Sequence, residues 1–233
     1  MLTNLQRHSV LFCIVIIFFW LPSDVLAHGV DENTRHFLLH NTGVQIIPFL
    51  YIGAKHMVTG YDHLLFLIGV VFFLYKSRDV VLYVSMFTLG HSLTLFFGVL
   101  IDLQVNAYLI DAIIGLSVAY KGFDNLGGVH QLFGKSANTK VAVLIFGLFH
   151  GLGLATKLQE FQLPDESLIT NLIAFNLGVE LGQFVALTFI VLAINCWRTH
   201  SSFTSFAKYS NVFLMTAGFM LVGFQLTGYV ITL

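Results

Sequence analysis

The fold of this chain follows from one stretch, residues 53–67, which reads GAKHMVTGYDHLLFL. It places His56, Asp62 and His63 at the start of a long apolar run. Ionisable side chains inside a membrane span are rare and usually face the interior of the bundle. On a continuous helix His56 and His63 share a face because they are seven residues apart, whereas Gly60 is a position at which the helix can break. The stretch therefore predicts a polar site that other helices complete.

The composition is that of a helical membrane protein. Of the 233 residues, 57% are hydrophobic and only 10% are charged, whereas about 25% of the residues in a typical soluble domain are charged. Long apolar runs favour helices over the short alternating segments of a membrane barrel. The net charge of -1 and the lack of a basic stripe argue against nucleic-acid binding. Two cysteines, Cys13 and Cys196, are too few to indicate a disulfide framework.

Residues 1–27 have the pattern of a signal peptide. Arg7 supplies a positive amino-terminal region, residues 10–21 form an apolar core, and VLA at residues 25–27 is a small-residue cleavage pattern. The alternative is an uncleaved first span. Cleavage after this pattern makes His28 the first residue, where its imidazole and the free amine can bind a metal together. The alternative for His28 is an exposed terminal residue without such a role.

Residues 28–60 are expected to form an external amino-terminal segment. Its apolar part, residues 43–55, is too short to span a bilayer and is predicted to form an interfacial helix. Residues 61–233 then form the transmembrane domain. That domain contains six apolar runs, at residues 62–75, 80–101, 108–120, 141–158, 168–197 and 211–233. The predicted fold class is all-α, a polytopic membrane bundle of about six transmembrane helices after a cleaved signal peptide.

Positive charges indicate the orientation of such a bundle, since cytoplasmic loops are enriched in Lys and Arg. With the mature amino terminus outside, the inner loops carry Lys76, Arg78, Lys121, Lys135, Lys140, Arg198 and Lys208. The outer segments then carry Arg35, Lys55 and Lys157. The signal peptide predicts the same orientation independently. The lipid bilayer is the expected surrounding of the six runs.

Ionisable side chains on five of the runs fall at one level, between the bilayer centre and the outer face. They are His63 with its neighbour Asp62, His91, Asp111, His150 and Glu180. Scattered structural polar groups have no reason to share a depth, so this shared level predicts a common site. The alternative is that each group is a hydrogen-bonded structural residue of the core.

Small residues at helical spacing flank two of these side chains, which predicts close helix packing there. The small residues are Gly147 and Gly151 around His150, and Gly178 and Gly182 around Glu180. A polar stripe on the fifth run consists of Asn176, Glu180 and Gln183. Both features predict that His150 and Glu180 point into helix junctions.

Imidazole together with carboxylate suits divalent nickel, cobalt, zinc, copper or iron, and the lack of thiolates at this level disfavours monovalent copper. The candidate metal ligands are His28, His56, Asp62, His63, His91, Asp111, His150 and Glu180. Metal binding requires neutral imidazoles and ionised carboxylates, so the affinity should fall as the pH drops below about 6.

These residues resemble the motifs of the HupE/UreJ-type membrane proteins, in particular of their second subgroup. The matching motifs are His56-x5-Asp62-His63, Phe87-Thr88-Leu89-Gly90-His91-Ser92, Phe149-His150-Gly151 and Phe175-Asn176-x3-Glu180. The resemblance implies a six-span protein of the bacterial inner membrane whose mature amino terminus is periplasmic, related to hydrogenase and urease accessory proteins. It also implies a nickel or cobalt permease in which His56, Asp62 and His63 are essential. Lys157 stands where the second motif of that family closes with Glu.

Two functions stay open on the sequence alone. One is a divalent-metal permease, with nickel or cobalt as the cargo and zinc or copper as alternatives. The other is a membrane-embedded metal-dependent hydrolase or other metalloenzyme, in which three histidines and a carboxylate leave one coordination position open to activate water. A proton-handling or purely structural bundle is a third interpretation. The oligomeric state and any partner protein also stay open.

Overall fold

A computed structural model describes residues 43–135, 138–159 and 165–232, and in these ranges the chain forms helices joined by short connections, with no strand. The helices are α1 (Ile46–Thr59), α2 (Tyr61–Val71), α3 (Ser77–Leu100), α4 (Ala107–Asn125), α5 (Gly128–Phe133), α6 (Thr139–Gln159), α7 (Asp165–Arg198) and α8 (Ser202–Ile231). The predicted all-α class is confirmed. The predicted signal peptide and His28 lie outside the described residues.

Four of these helices are long and apolar enough to cross a membrane, namely α3, α6, α8 and the part of α7 from Glu166 to Arg198. They correspond to four of the six predicted runs, so the chain is a helical membrane protein. The run at residues 62–75 corresponds to α2, whose 11 residues are fewer than the ~20 that a span requires. The run at residues 108–120 corresponds to α4, which has 19 residues and includes Asp111.

The helices α1 and α2 form one broken element that follows α7 along its length. Gly60 has an extended backbone between them, with φ -71 and ψ 107. Near the start of α1, the Gln45 backbone amide donates a hydrogen bond to Asn171 Oδ1 at 2.8 Å. Just beyond the end of α2, the Arg198 guanidinium donates to the Phe72 carbonyl at 2.7 Å. Thus α1 lies against the first half of α7 and α2 ends beside its last turn, while the interfacial position of α1 stays a prediction.

The short helix α2 lies at the centre of the bundle, in contact with α1, α3, α4, α7 and α8. Most of its residues are buried, including Asp62, His63 and Phe66. A helix that is apolar on nearly every side is favourable in such a central position. The polar residues at its start are therefore presented to several helices at once.

Glycines allow two helix pairs to approach closely, as their spacing predicts. A Cβ atom on Gly151 of α6 would collide with the His91 carbonyl of α3, and one on Gly178 of α7 would collide with the Leu50 carbonyl of α1. Such backbone contact is possible only where no side chain intervenes. The close approach brings His91 and the neighbour of Gly151, His150, to the same level of the bundle.

Basic residues concentrate at one end of the bundle, which we call the basic end. There α2, α4 and α7 finish and α3, α6 and α8 begin. Its cations include Lys76, Arg78, Lys140, Arg198 and Lys208. At the opposite end, α3 and α6 finish and α4 and α7 begin. The helices α3 and α6 therefore run parallel to each other and antiparallel to α2 and α4.

Candidate metal centre

The break at Gly60 places the end of one helix beside the start of the next. His56 lies in the last turn of α1, whereas Asp62 and His63 lie in the first turn of α2. The rings of His56 and His63 meet edge to face with their centroids 5.1 Å apart. The positive end of the α2 dipole favours the Asp62 carboxylate at this position. The turn thus brings together the three residues of the His-x5-Asp-His motif.

Three side chains from α2 and α6 form a group that can hold a metal ion. Asp62, His63 and His150 are buried, and each offers one ligand atom within 4.8 Å of the others. Within the group, His63 Nδ1 lies 3.1 Å from Asp62 Oδ1. A metal–nitrogen bond is about 2.1 Å long, so neighbouring ligand atoms of a tetrahedral site lie about 3.4 Å apart. Side-chain shifts that shorten the separations by at most about 1.4 Å would close this group around an ion.

His91 of α3 completes a histidine cluster, which we define as His56, His63, His91 and His150. The ring centroid of His63 lies 6.0 Å from that of His91 and 4.8 Å from that of His150. His91 is buried, and neither of its ring nitrogens has a hydrogen-bond partner in the described part of the chain. A buried polar group without a partner costs about 1–3 kcal/mol. A metal ligand bond would compensate that cost.

The sequence gives no indication that Ser117 of α4 belongs to this site, but the structure places it there. Its side chain is buried, donates a hydrogen bond to the Ile114 carbonyl at 2.6 Å, and places Oγ 3.5 Å from His150 Nε2. Because the hydroxyl donates to the Ile114 carbonyl, Oγ can only accept a hydrogen bond from His150. That contact favours the tautomer in which Nε2 carries the proton and Nδ1 is the nitrogen whose lone pair suits a metal.

The comparison with known protein families agrees with this geometry. Residues 32–233 match the family described as HupE / UreJ protein. The chain belongs to the HupE/UreJ family. No curated protein and no solved structure matches it. The family is linked to metal handling and is membrane-associated, and in this HupE/UreJ chain a candidate His/Asp site lies inside the bundle.

Asp111 is predicted to be a ligand, but in this HupE/UreJ chain it lies apart from the three-residue group. It forms an ion pair with Lys157, in which Lys157 Nζ donates to Asp111 Oδ2 at 2.8 Å. Both side chains are largely buried and join α4 to α6. Lys157 lies two turns beyond His150 toward the opposite end of the bundle. The two residues therefore connect helices next to the site.

Glu180 is also predicted to be a ligand, and the structure instead places it on the exposed face of α7. Its Oε1 accepts a hydrogen bond from Asn176 Nδ2 at 3.4 Å. The other members of the predicted polar stripe are buried against α3, where Asn176 accepts from Ser92 at 3.1 Å and Gln183 accepts from Thr88 at 3.1 Å. The stripe thus joins α7 to α3, and Glu180 does not reach the histidine cluster.

Proposed function

We propose that this protein is a permease for a divalent transition metal, with nickel or cobalt as the cargo. The observation that supports the proposal most is the convergence of Asp62, His63 and His150, whose ligand atoms lie within 4.8 Å of one another inside a membrane bundle. Imidazole nitrogen with one carboxylate suits such ions. Membership of a family linked to metal handling supports the same class of cargo.

The burial of the site is what an intermediate of transport requires. The residues of the three-residue group and His91 are at most 3% exposed, so an ion held there is shielded from both ends of the bundle. The site also lies at a helix break, between the end of α1 and the start of α2. Discontinuous helices that supply ligands near the middle of the membrane are a recurring design of secondary transporters.

The distribution of charge supports an orientation of the bundle in the membrane. The basic end carries Lys76, Arg78, Lys140 and Arg198, and cytoplasmic ends of membrane proteins are enriched in such residues. We therefore assign the basic end to the cytoplasm and the opposite end, with the mature amino terminus, to the periplasmic side of a bacterial inner membrane. His28 would then be available to capture the ion outside.

The metal content of the purified protein tests the site. After loading with Ni²⁺ at neutral pH, elemental mass spectrometry should find bound nickel in the wild type and a loss of most of it in His63→Ala. The matched control is His130→Ala, because His130 is exposed on α5 and should leave the nickel content unchanged. Equal nickel in His63→Ala and the wild type would contradict the site.

Transport is tested with the same variants in reconstituted vesicles. Wild type and His130→Ala should carry Ni²⁺ into vesicles that contain a nickel-quenched dye, whereas His63→Ala should not. Glu180→Ala should retain uptake, because Glu180 is exposed and lies apart from the histidine cluster. Uptake at the level of empty vesicles by a wild type that binds nickel would refute the permease and favour the metalloenzyme.

The burial of the site is more suitable for a permease than for a metalloenzyme. A hydrolase needs an opening of substrate size beside its metal, and the ligand side chains here are at most 3% exposed. A bare ion is small enough for such a site. The exchange of bound nickel across the membrane, measured in the vesicles, distinguishes the two functions.

A further inference from the structure

Phenylalanine side chains lie directly beside the histidine cluster on the side of the basic end. Phe66 follows His63 by three residues on α2, whereas Phe87 and Phe146 precede His91 and His150 by four residues on α3 and α6. Because α2 runs antiparallel to α3 and α6, all three positions are displaced from the histidines in the same direction. We call Phe66, Phe87 and Phe146 the aromatic layer.

Phe66 contacts both other rings of the aromatic layer. The centroid of Phe66 lies 5.3 Å from that of Phe87 and 5.7 Å from that of Phe146. On its far side, Phe146 meets Tyr120 of α4 at 5.4 Å. Phe66 and Phe87 are at most 1% exposed. The three phenylalanines therefore form a continuous apolar layer across α2, α3 and α6, and Tyr120 borders it on α4.

The same rings touch the histidines. Phe87 stacks on His91 at a centroid distance of 6.1 Å and meets His150 edge to face at 5.0 Å and His63 at 6.3 Å. Phe66 lies 5.5 Å from His150. The ring of Phe87 thus contacts three members of the histidine cluster, and it closes the cluster toward the basic end.

Polar groups resume immediately beyond the layer. Lys121 donates to Asp124 at 2.7 Å, and Asn125 Nδ2 donates to Asn211 Oδ1 and to the Gly69 carbonyl, both at 2.8 Å. Gly69 lies three residues past Phe66 and Asp124 lies four residues past Tyr120, near the ends of α2 and α4. The aromatic layer is therefore a thin apolar partition between two polar levels.

On the other side of the histidine cluster, α3 and α6 carry buried aliphatic side chains. Leu95 follows His91, and Leu154 follows His150, by one helical turn toward the opposite end. Both are at most 2% exposed and belong to one hydrophobic cluster. On α3 and α6, the histidines thus lie between an aliphatic and an aromatic level.

We infer that the aromatic layer of Phe66, Phe87 and Phe146 is the inner gate of the protein, which seals the metal centre from the basic end and must open for release of the ion. The inference rests on the proposed function for the identity of the ion. A charge is strongly disfavoured in a dry apolar layer, so neither water nor a hydrated ion passes while the rings are in contact. Displacement of Phe87 alone removes the contacts that close the layer over three histidines.

Cysteine accessibility tests the seal without requiring transport. Ser117→Cys places a thiol at the centre, in a full-length chain whose Cys13 and Cys196 are replaced by Ser. Inside-out vesicles expose the basic end to a membrane-impermeant, positively charged thiosulfonate. The rate of thiol labelling is compared among chains with an intact layer, with Phe87→Ala, and with the milder Phe87→Leu and Phe66→Leu. The matched control is Phe72→Leu, because Phe72 is a buried phenylalanine of the same segment in a different cluster.

The introduced thiol should be labelled slowly in the chain with the intact layer and in the Phe72→Leu chain. In the layer variants it should be labelled at least about tenfold faster from the basic end, since the labelling rate follows the population of open states. Fast labelling through the intact layer would overturn the inference. Equally slow labelling in folded Phe87→Leu and Phe66→Leu would also overturn it. Added Ni²⁺, at concentrations that saturate the Ser117→Cys chain in a nickel titration, should slow the labelling. If the wild type binds no nickel while the layer variants still label faster, the proposed function fails and the gate stands.

Discussion

Replacement of Gly151 by alanine tests the helix contact that assembles the metal centre. A Cβ at this position would lie 2.8 Å from the carbonyl carbon of His91 and would collide with the His91 oxygen and Thr94 Oγ1. Ordinary Cβ contacts are 3.4 Å or longer, so α3 and α6 must separate by 0.6 Å or more. Overpacking of this kind costs about 1–3 kcal/mol.

The matched control is Gly223→Ala on α8, where nothing lies within 4 Å of the added Cβ. Both substitutions gain roughly 0.5–1 kcal/mol of intrinsic helix stability over glycine, so their difference isolates the collision. A change of about 1 kcal/mol in the free energy of unfolding moves the thermal unfolding midpoint of a protein of this size by about 2–4 °C. Gly151→Ala should therefore unfold roughly 2–12 °C below Gly223→Ala when thermal unfolding is followed by circular dichroism in detergent.

The separation should also weaken metal binding, because it moves His91 and His150 apart. Nickel titrations of the two folded variants below their unfolding temperatures check this consequence. A midpoint for Gly151→Ala equal to that of Gly223→Ala, together with equal nickel affinity, would refute the close packing of α3 and α6 at this level.

Two further predictions concern the ligands themselves. Nickel occupancy should decrease as the pH is lowered, because protons compete with the ion for the imidazole nitrogens; equal occupancy at both ends of a pH series, measured by elemental mass spectrometry, would contradict histidine ligation. Ser117→Ala should weaken nickel affinity by about 10–100-fold, since it removes the oxygen that orients His150. Ser85→Ala, on the exposed face of α3, should leave the affinity unchanged in the same titration.

The convergence of the histidines could be predicted because depth along a helix is readable from a sequence. His91 and His150 each lie nine residues before the end of their helices, α3 and α6. Since these helices run parallel and pack through glycines, the two side chains reach the same level. His63 lies in the first turn of α2 and its ring is close to both of theirs, so the side chains that share a depth also share a location.

The exposure of Glu180 could not be predicted in the same way. Glu180 and Gln183 point in directions that differ by only about 60° around the α7 axis. Even so, Gln183 is buried against α3 and Glu180 is exposed. Periodicity identifies the face of a helix that is polar. It does not identify which part of that face a neighbouring helix covers.

The partner of Asp111 depended on tertiary structure for a different reason. Asp111 and Lys157 are 46 residues apart, and the sequence places both near the outer ends of their helices. Only the antiparallel packing of α4 against α6 brings them within 2.8 Å. The same packing brings Ser117, which lies six residues after Asp111 on α4, close to His150.

The sequence by itself determined that this chain is an all-α membrane protein with histidines and a carboxylate at one level, because hydropathy and the period of a helix are local properties. Only the tertiary structure decided which polar side chains form the candidate metal centre, which form an ion pair with each other and which are exposed. Those outcomes depend on the rotation of each helix about its axis, and contacts between residues distant in the chain set that rotation. The aromatic layer belongs to this second class, since its three phenylalanines come from separate helices and become one surface only when the bundle is assembled.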